Sequence, residues 1–139
     1  MIVVDTNVTS ELMKPSPSAA VVAWARSRTA GELYTTSITV AEVLYGIERL
    51  ADGRRKELLK RTAEDVFAAF ADQLLAFDAS AAAEYARLVI IRERAGAPID
   101  GFDAQIAAIC RVHRATLATR NVRHFHGTGI TVIDPWHAG

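Results

Sequence analysis

A single cysteine, Cys110, leaves no possibility of a disulfide within the chain. It sits in AQIAAICRV, a run with helical character, and reads there as a small buried hydrophobe rather than a reactive thiol. Any stretch of about eighteen apolar residues, the minimum for a membrane-crossing helix, is missing. The N-terminus has no basic region leading into an apolar run, so no secretory leader is expected, and the chain reads as cytoplasmic. Asn7-Val8-Thr9 then matches a glycosylation acceptor by chance. Neither sign of charge prevails: Lys plus Arg number 16 and Asp plus Glu number 16. That balance argues against a non-specific nucleic-acid coat, though not against a local basic patch. A Walker A loop and a G-x-G-x-x-G are both absent, which disfavours the common nucleotide-binding enzymes. The four histidines show no zinc-ligand spacing.

What is present suits one domain over residues 1–139, with half of its residues hydrophobic. Short strand signals occur at IVVD (from residue 2), ELYTTS (near 32), LLAF (near 74), ATLATR (near 115) and ITVID (near 130). Helical patterns fill the gaps: Ser18 to Arg28, Thr39 to Leu50, Arg54 to Gln73, Ala79 to Ala95 and Phe102 to Arg114. Only KPSPS at 14–18 and GAPIDG at 96–101 look like linkers. Short apolar strands alternating with helices imply an α/β domain with a mainly parallel sheet.

Sites in such sheets form outside the carboxyl ends of the strands, and MIVVDTN ends its strand in Asp5. Glu42, in SITVAEVLYGI, and Asp103, in IDGFDAQIAAI, fall near helix starts that the fold gathers on the same edge. Each acid also has a plain structural reading. Asp5 suits a helix N-cap, Thr39-x-x-Glu42 reads as a capping box, and Asp100-x-x-Asp103 as a weaker one. Three acids converging on one edge repel each other, however, and need a cation or a raised pKa. A hard divalent ion such as Mg²⁺ takes oxygen ligands through one or two carboxylates and keeps several waters. Such an ion lowers the pKa of a bound water and offsets charge on a phosphodiester. Thr6 adds a hydroxyl that can orient a carboxylate or hold a water.

VVDTNVTSE, TVAEVLYGI, DGFDAQIAA and LATRNVRHF, in this order and spacing, resemble the four motif blocks of PIN domains. More narrowly they resemble the VapC toxins of type II toxin–antitoxin pairs, and the ending IDPWH resembles the FitB-like branch. The resemblance implies a PIN-like αβα sandwich, an Mg²⁺- or Mn²⁺-dependent endoribonuclease acting on RNA, a homodimer and a cognate antitoxin. By position it implies Asp5 and Asp103 as metal ligands, with Glu42 acting directly or through water. Thr6 and Asn121 shape the surroundings, and Thr119 holds a water. Asn121 stands where many PIN domains carry a fourth acid. Its neutral carbonyl binds a cation more weakly, which leaves one ion or two open.

Other features divide between functional and plain readings. Arg120, Arg123, His124 and His126 follow the fourth strand and suit either phosphate contact or a solvated loop. Arg54, Arg55, Lys56, Lys60 and Arg61 form either a solvated basic face or an RNA track. Trp24, Tyr45, Phe67, Phe70 and Phe102 read as core or dimer contacts, and Trp136 as an anchor for the tail or an interface. The helix with Val21, Val22 and Trp24 is a candidate wall for an antitoxin groove. Two other functions compete. A phospho-acceptor receiver domain needs an Asp after the third strand, where Asp78 stands, and a Lys after the fifth, but no Lys follows Lys60. A PIN-like binding module that no longer cuts is disfavoured by the three acids and kept open by Asn121.

Overall fold

Alternation along the central strand determines how the layers assemble. In the computed structural model, which describes residues 1–138, Ile2–Val4 forms β1 and all three side chains are buried. Val3 joins one core while Ile2 and Val4 join another, because successive strand residues point to opposite faces of a sheet. Leu117 and Ala118 of β4 (Thr116–Ala118) divide the same way.

β2 (Leu33–Thr36), β3 (Leu74–Leu75) and β5 (Val132–Ile133) complete a five-stranded sheet in the order β3-β2-β1-β4-β5. All four pairings are parallel, with Val3 opposite Tyr34 on one side and Leu117 on the other. The expected sheet is thus wholly parallel. Parallel strands require crossovers. Here they are α1 (Thr6–Leu12) with α2 (Ala19–Arg26), α3 (Ser37–Glu48) with α4 (Arg54–Ala69), and α5 (Ala79–Arg94) with α6 (Gly101–His113). A 3-10 turn, Val122–Phe125, joins β4 to β5.

One face of the sheet packs Val3 and Leu117 against Leu88 of α5 and Ile106, Ala107 and Cys110 of α6. The opposite face packs Ile2, Val4 and Ala118 against Val8 of α1 and Val21 and Trp24 of α2. Val43, Ile47 and Ala63 form a smaller core between α3 and α4. Cys110 is fully buried and burial pushes its thiol up to about 12, so it is the inert hydrophobe that the sequence suggests.

The structure departs from the sequence expectations at three places. α4 ends at Ala69 rather than Gln73, because residues 70–73 tighten into a turn closed by Gln73 N–H to Phe70 C=O. The basic face at its start loses two of its five residues to structure, while Arg54, Arg55 and Arg61 remain exposed. Lys56 is buried, donates to Glu48 C=O at 3.1 Å and reaches Asp52 at 3.3 Å, while Lys60 pairs with Glu48 at 3.2 Å. Val21 and Trp24 are spent on the core, so α2 offers no groove wall through them. The open apolar groove lies elsewhere, about 560 Å³ lined by Met13 of the α1 end, Val43 and Ile47 of α3, and Leu58 and Leu59 of α4.

Candidate metal centre at the carboxyl ends of β1 and β4

The chain winds from β1 outward to β2 and β3, then returns to place β4 on the other side of β1. The crevice between β1 and β4 is the switch point at which an open parallel sheet offers a site. Asp5 follows β1 and Thr119 follows β4, so both enter that crevice from strand ends.

Asp5 is 3% exposed and caps α1, accepting the Thr6 N–H at 2.8 Å on Oδ1. Its Oδ2 accepts the Thr119 hydroxyl at 2.7 Å and Asn7 Nδ2 at 3.3 Å. Asn7 is a strut between the two strands: its Nδ2 also donates to Thr119 Oγ1 at 3.1 Å, and its Oδ1 accepts the Arg120 N–H at 3.1 Å. Asn121 N–H donates to Thr119 Oγ1 at 3.1 Å. Thr119 therefore aims the Asp5 carboxylate directly.

Glu42 arrives from α3. The sequence suggests a capping box led by Thr39, but the N-cap is Thr36, whose hydroxyl accepts the Thr39 N–H at 3.1 Å. The strand ends at Thr36, which starts the helix one turn early and moves Glu42 past the first turn. Thr39 is instead fully buried, with its hydroxyl 3.0 Å from that of Thr6. Thr6 Oγ1 donates to Glu42 Oε1 at 2.8 Å, so the hydroxyl beside Asp5 orients the other acid. Asp103 comes from the first turn of α6, below the Asp100 N-cap, which accepts the Phe102 and Asp103 N–H groups. Its Oδ2 lies 3.0 Å from His124 Nδ1, a contact the sequence does not reveal. Asn121 is exposed and precedes the 3-10 turn.

All three acids are held above the ordinary carboxyl range, and burial is the largest cause in each. For Asp5, bonds from Thr119 and Thr6 oppose the rise while the charge of Asp103 adds to it. Glu42 is relieved by Thr6 and pushed up further by Asp5, Asp103 and Asp100. His124 relieves Asp103. The three thus lie within electrostatic reach, and among the described residues no Lys or Arg forms an ion pair with any of them.

A divalent cation fits this donor set. The donors are hard oxygens without a Lys or Arg ion pair among the described residues. Although Thr119 and Asn7 fill Asp5 Oδ2, Asp5 Oδ1, Glu42 Oε1 and Asp103 Oδ2 carry one hydrogen bond each and keep a further lone pair. Among the described residues no three His, Cys, Asp or Glu side chains close into a ready cage. Such an ion therefore suits one or two carboxylates with water completing its shell, as Mg²⁺ prefers.

The raised pKa values have a stability consequence. The folded chain keeps protons that the unfolded chain has released, so stability falls as pH rises from about 4 through the raised values. Glu42→Gln preserves an oxygen for Thr6 and removes the charge. In EDTA at pH 7 this variant is expected to melt above the wild type, with the difference closing as pH falls towards about 4. Thermal melts check this, and a lower melting temperature for the variant at pH 7 would refute it.

A parallel sheet that brings separated acids to its switch point defines an α/β domain with an acid-lined strand-edge site. A family model described as PIN domain matches residues 2–129, and the chain belongs to the PIN-domain family. It is 38% identical over 138 residues to the toxin FitB of Neisseria gonorrhoeae, covering 99% of both chains. It is also 38% identical over 137 residues to the VapC ribonuclease Y4jK of Sinorhizobium fredii, covering 98% of each. The crystal structure of FitAcB from Neisseria gonorrhoeae aligns with a TM-score of 0.92 at 38% identity over 99% of each chain.

Proposed function

We propose that residues 1–139 act as a single PIN domain, the toxin of a toxin–antitoxin pair, and cleave RNA as a divalent-cation-dependent endoribonuclease. The observations that support this reading are that Thr6 bonds both Asp5 and Glu42, that Asp103 acts electrostatically on both acids, and that among the described residues no Lys or Arg forms an ion pair with any of the three. The family relation to a VapC ribonuclease and to FitB supports it.

Asp5 and Asp103 would hold the cation, Mg²⁺ or Mn²⁺, and the exposed Asn121, whose N–H bonds Thr119, would contribute at most a neutral carbonyl. When bound, the ion lowers the pKa of a water and offsets charge on the phosphodiester. Glu42 accepts the proton of the attacking water at Oε2, because Oε1 is engaged by Thr6. Burial, with Asp5, Asp103 and Asp100 nearby, raises its pKa and so makes it a stronger base than an exposed glutamate. Thr119 and Thr6 fix the two carboxylates, and the exposed Arg120 and Arg123 meet phosphates. Arg120 is held ready, its guanidinium stacked 4.8 Å from the Trp136 ring centre.

The apolar groove between α1, α3 and α4 suits an antitoxin helix laid along it, with Lys14 and Arg55 at its rim. Solved relatives described as FitAB bound to a DNA fragment and as FitAcB support such a partner. Exposed apolar side chains, among them Tyr45, Ile91 and Phe102, support a homodimer. No described helix is long and apolar enough to cross a membrane, and we place the protein in the cytoplasm with its RNA.

Purified protein incubated with total RNA is expected to cleave it in Mg²⁺ or Mn²⁺ and to stop on addition of EDTA. Intact RNA under every cation condition would instead favour a PIN-like module that binds its antitoxin without cutting, a reading that Asn121 and the absence of a ready cage among the described residues sustain. Cleavage that survives EDTA would overturn the metal-dependent mechanism.

A further inference from the structure

The segment from β4 to β5 carries Asn121, Arg123, His124 and His126 past the site on a single 3-10 turn. So short a turn has little intrinsic stability, and it is held from beneath. Phe125 is buried, Thr128 Oγ1 donates to Phe125 C=O at 2.6 Å, and Arg111 Nη1 donates to Thr128 C=O at 2.8 Å.

The largest hold comes from Arg92, in the last turn of α5 and only 8% exposed. Its Nε donates to Ala97 C=O at 2.7 Å, and its Nη1 donates to His124 C=O at 2.8 Å and His126 C=O at 2.9 Å. Among the described residues no carboxylate forms an ion pair with it. A buried cation without an acid partner is expensive. Leu or Met would fill the same space in a purely packing role, so the charge and the fork of donors require a further reason. One follows from the next contact: the backbone that Arg92 grips belongs to the residue whose ring meets Asp103.

We propose that Arg92 is a positioning residue: by fixing the carbonyls of His124 and His126, it sets the His124 imidazole against Asp103 and so orients that carboxylate within the site. The guanidinium is suited to this because its rigid fork serves Ala97 from one edge and two carbonyls from another nitrogen. An ammonium, a point donor on a flexible stem, cannot reproduce that geometry. The effect on catalysis rests on the nuclease reading, whereas the effect on geometry does not.

The test uses the full chain with Arg92→Met, which keeps length without donors, and Arg92→Lys, which keeps charge. Arg92→Met is expected to retain its circular dichroism and cooperative unfolding. Its amides at 122–128 exchange about 10-fold faster or more, while those of α3 do not change. The His124 ring ¹⁵N resonances shift to those of a ring without its Asp103 contact. With RNA, kcat falls by about 10- to 100-fold with little change in KM, and Arg92→Lys recovers part of it. In a His124→Ala background the loss on replacing Arg92 largely disappears, because the two act in series. A folded Arg92→Met protein with unchanged His124 resonances and loop exchange would overturn the proposal, as would full additivity with His124→Ala. If Arg92→Met does not fold, Arg92→Lys decides by the same resonances. If the wild type proves unable to cut RNA, the exchange and ring measurements still decide the positioning, and the failure belongs to the proposed function alone.

Discussion

Asp5→Asn is expected to lower RNA cleavage by about 1,000-fold or more, equivalent to about 4 kcal/mol of transition-state stabilisation, while leaving the fold intact. The side chains differ by one charge and by an amide in place of an oxygen, so the buried residues around position 5, Val3, Val4 and Val8, keep their packing. The polar network does not accommodate the change. Oδ1 accepts from the Thr6 N–H and Oδ2 accepts from Thr119 and Asn7. An amide nitrogen in either place meets a donor. Thr119 could turn its hydroxyl, but Asn7 Nδ2 and Asn121 N–H already occupy both of its acceptor positions. The variant therefore loses the charge and the aim of the remaining oxygen together. Calorimetry should show weaker Mn²⁺ binding in the same preparation, and circular dichroism should be unaltered. Glu42→Gln is expected to cost less, about 100-fold, because it removes a proton acceptor but keeps both proposed ligands, Asp5 and Asp103. A folded Asp5→Asn protein that cleaves at the wild-type rate would sink the assignment of the centre.

How far the sequence foretells this centre depends on the separation of the partners. Asp5 is evident because β1 is a wholly apolar run that stops at an acid, and Asp100 is evident because a cap acts on residues two and three places away. Thr119 on Asp5 spans 114 positions and His124 on Asp103 spans 21. The first depends on the parallel pairing of β1 with β4 and the second on the course of one short turn, neither of which local pattern encodes. The Thr39 capping box failed for a different reason. Thr36, Ser37 and Thr39 are all competent caps, and the choice among them was made by where β2 stops pairing with β3 at Thr36. Lys56 misled because composition treats a lysine as solvated, whereas the α3–α4 turn folds it over the carbonyl of Glu48. α1 has seven residues, too few for a helical period to declare itself, and its start is fixed by the Asp5 cap.

The largest stability effect is expected from Phe125→Ala, a loss of about 3–5 kcal/mol from a total that for domains of this kind is about 5–15 kcal/mol. Phe125 is 2% exposed and belongs to the core that contains Val3, Leu88, Ile106 and Leu117, although it sits in the connection between β4 and β5 rather than in a regular element. Removing the ring leaves a hole bounded by elements that cannot all move in, since β1 and β4 are fixed by their pairing. The same ring is the apolar root of the turn that presents His124 to Asp103. Activity should therefore fall at temperatures where most of the protein is still folded, ahead of the loss of circular dichroism. A core residue on the opposite face provides the contrast. Val21→Ala, behind β1 and far from the turn, should lower the melting temperature while activity follows the folded fraction. Urea titration with an unchanged m-value would assign the Phe125→Ala loss to the native core. Coincident loss of activity and structure in both variants would show that the turn owes nothing to its buried ring.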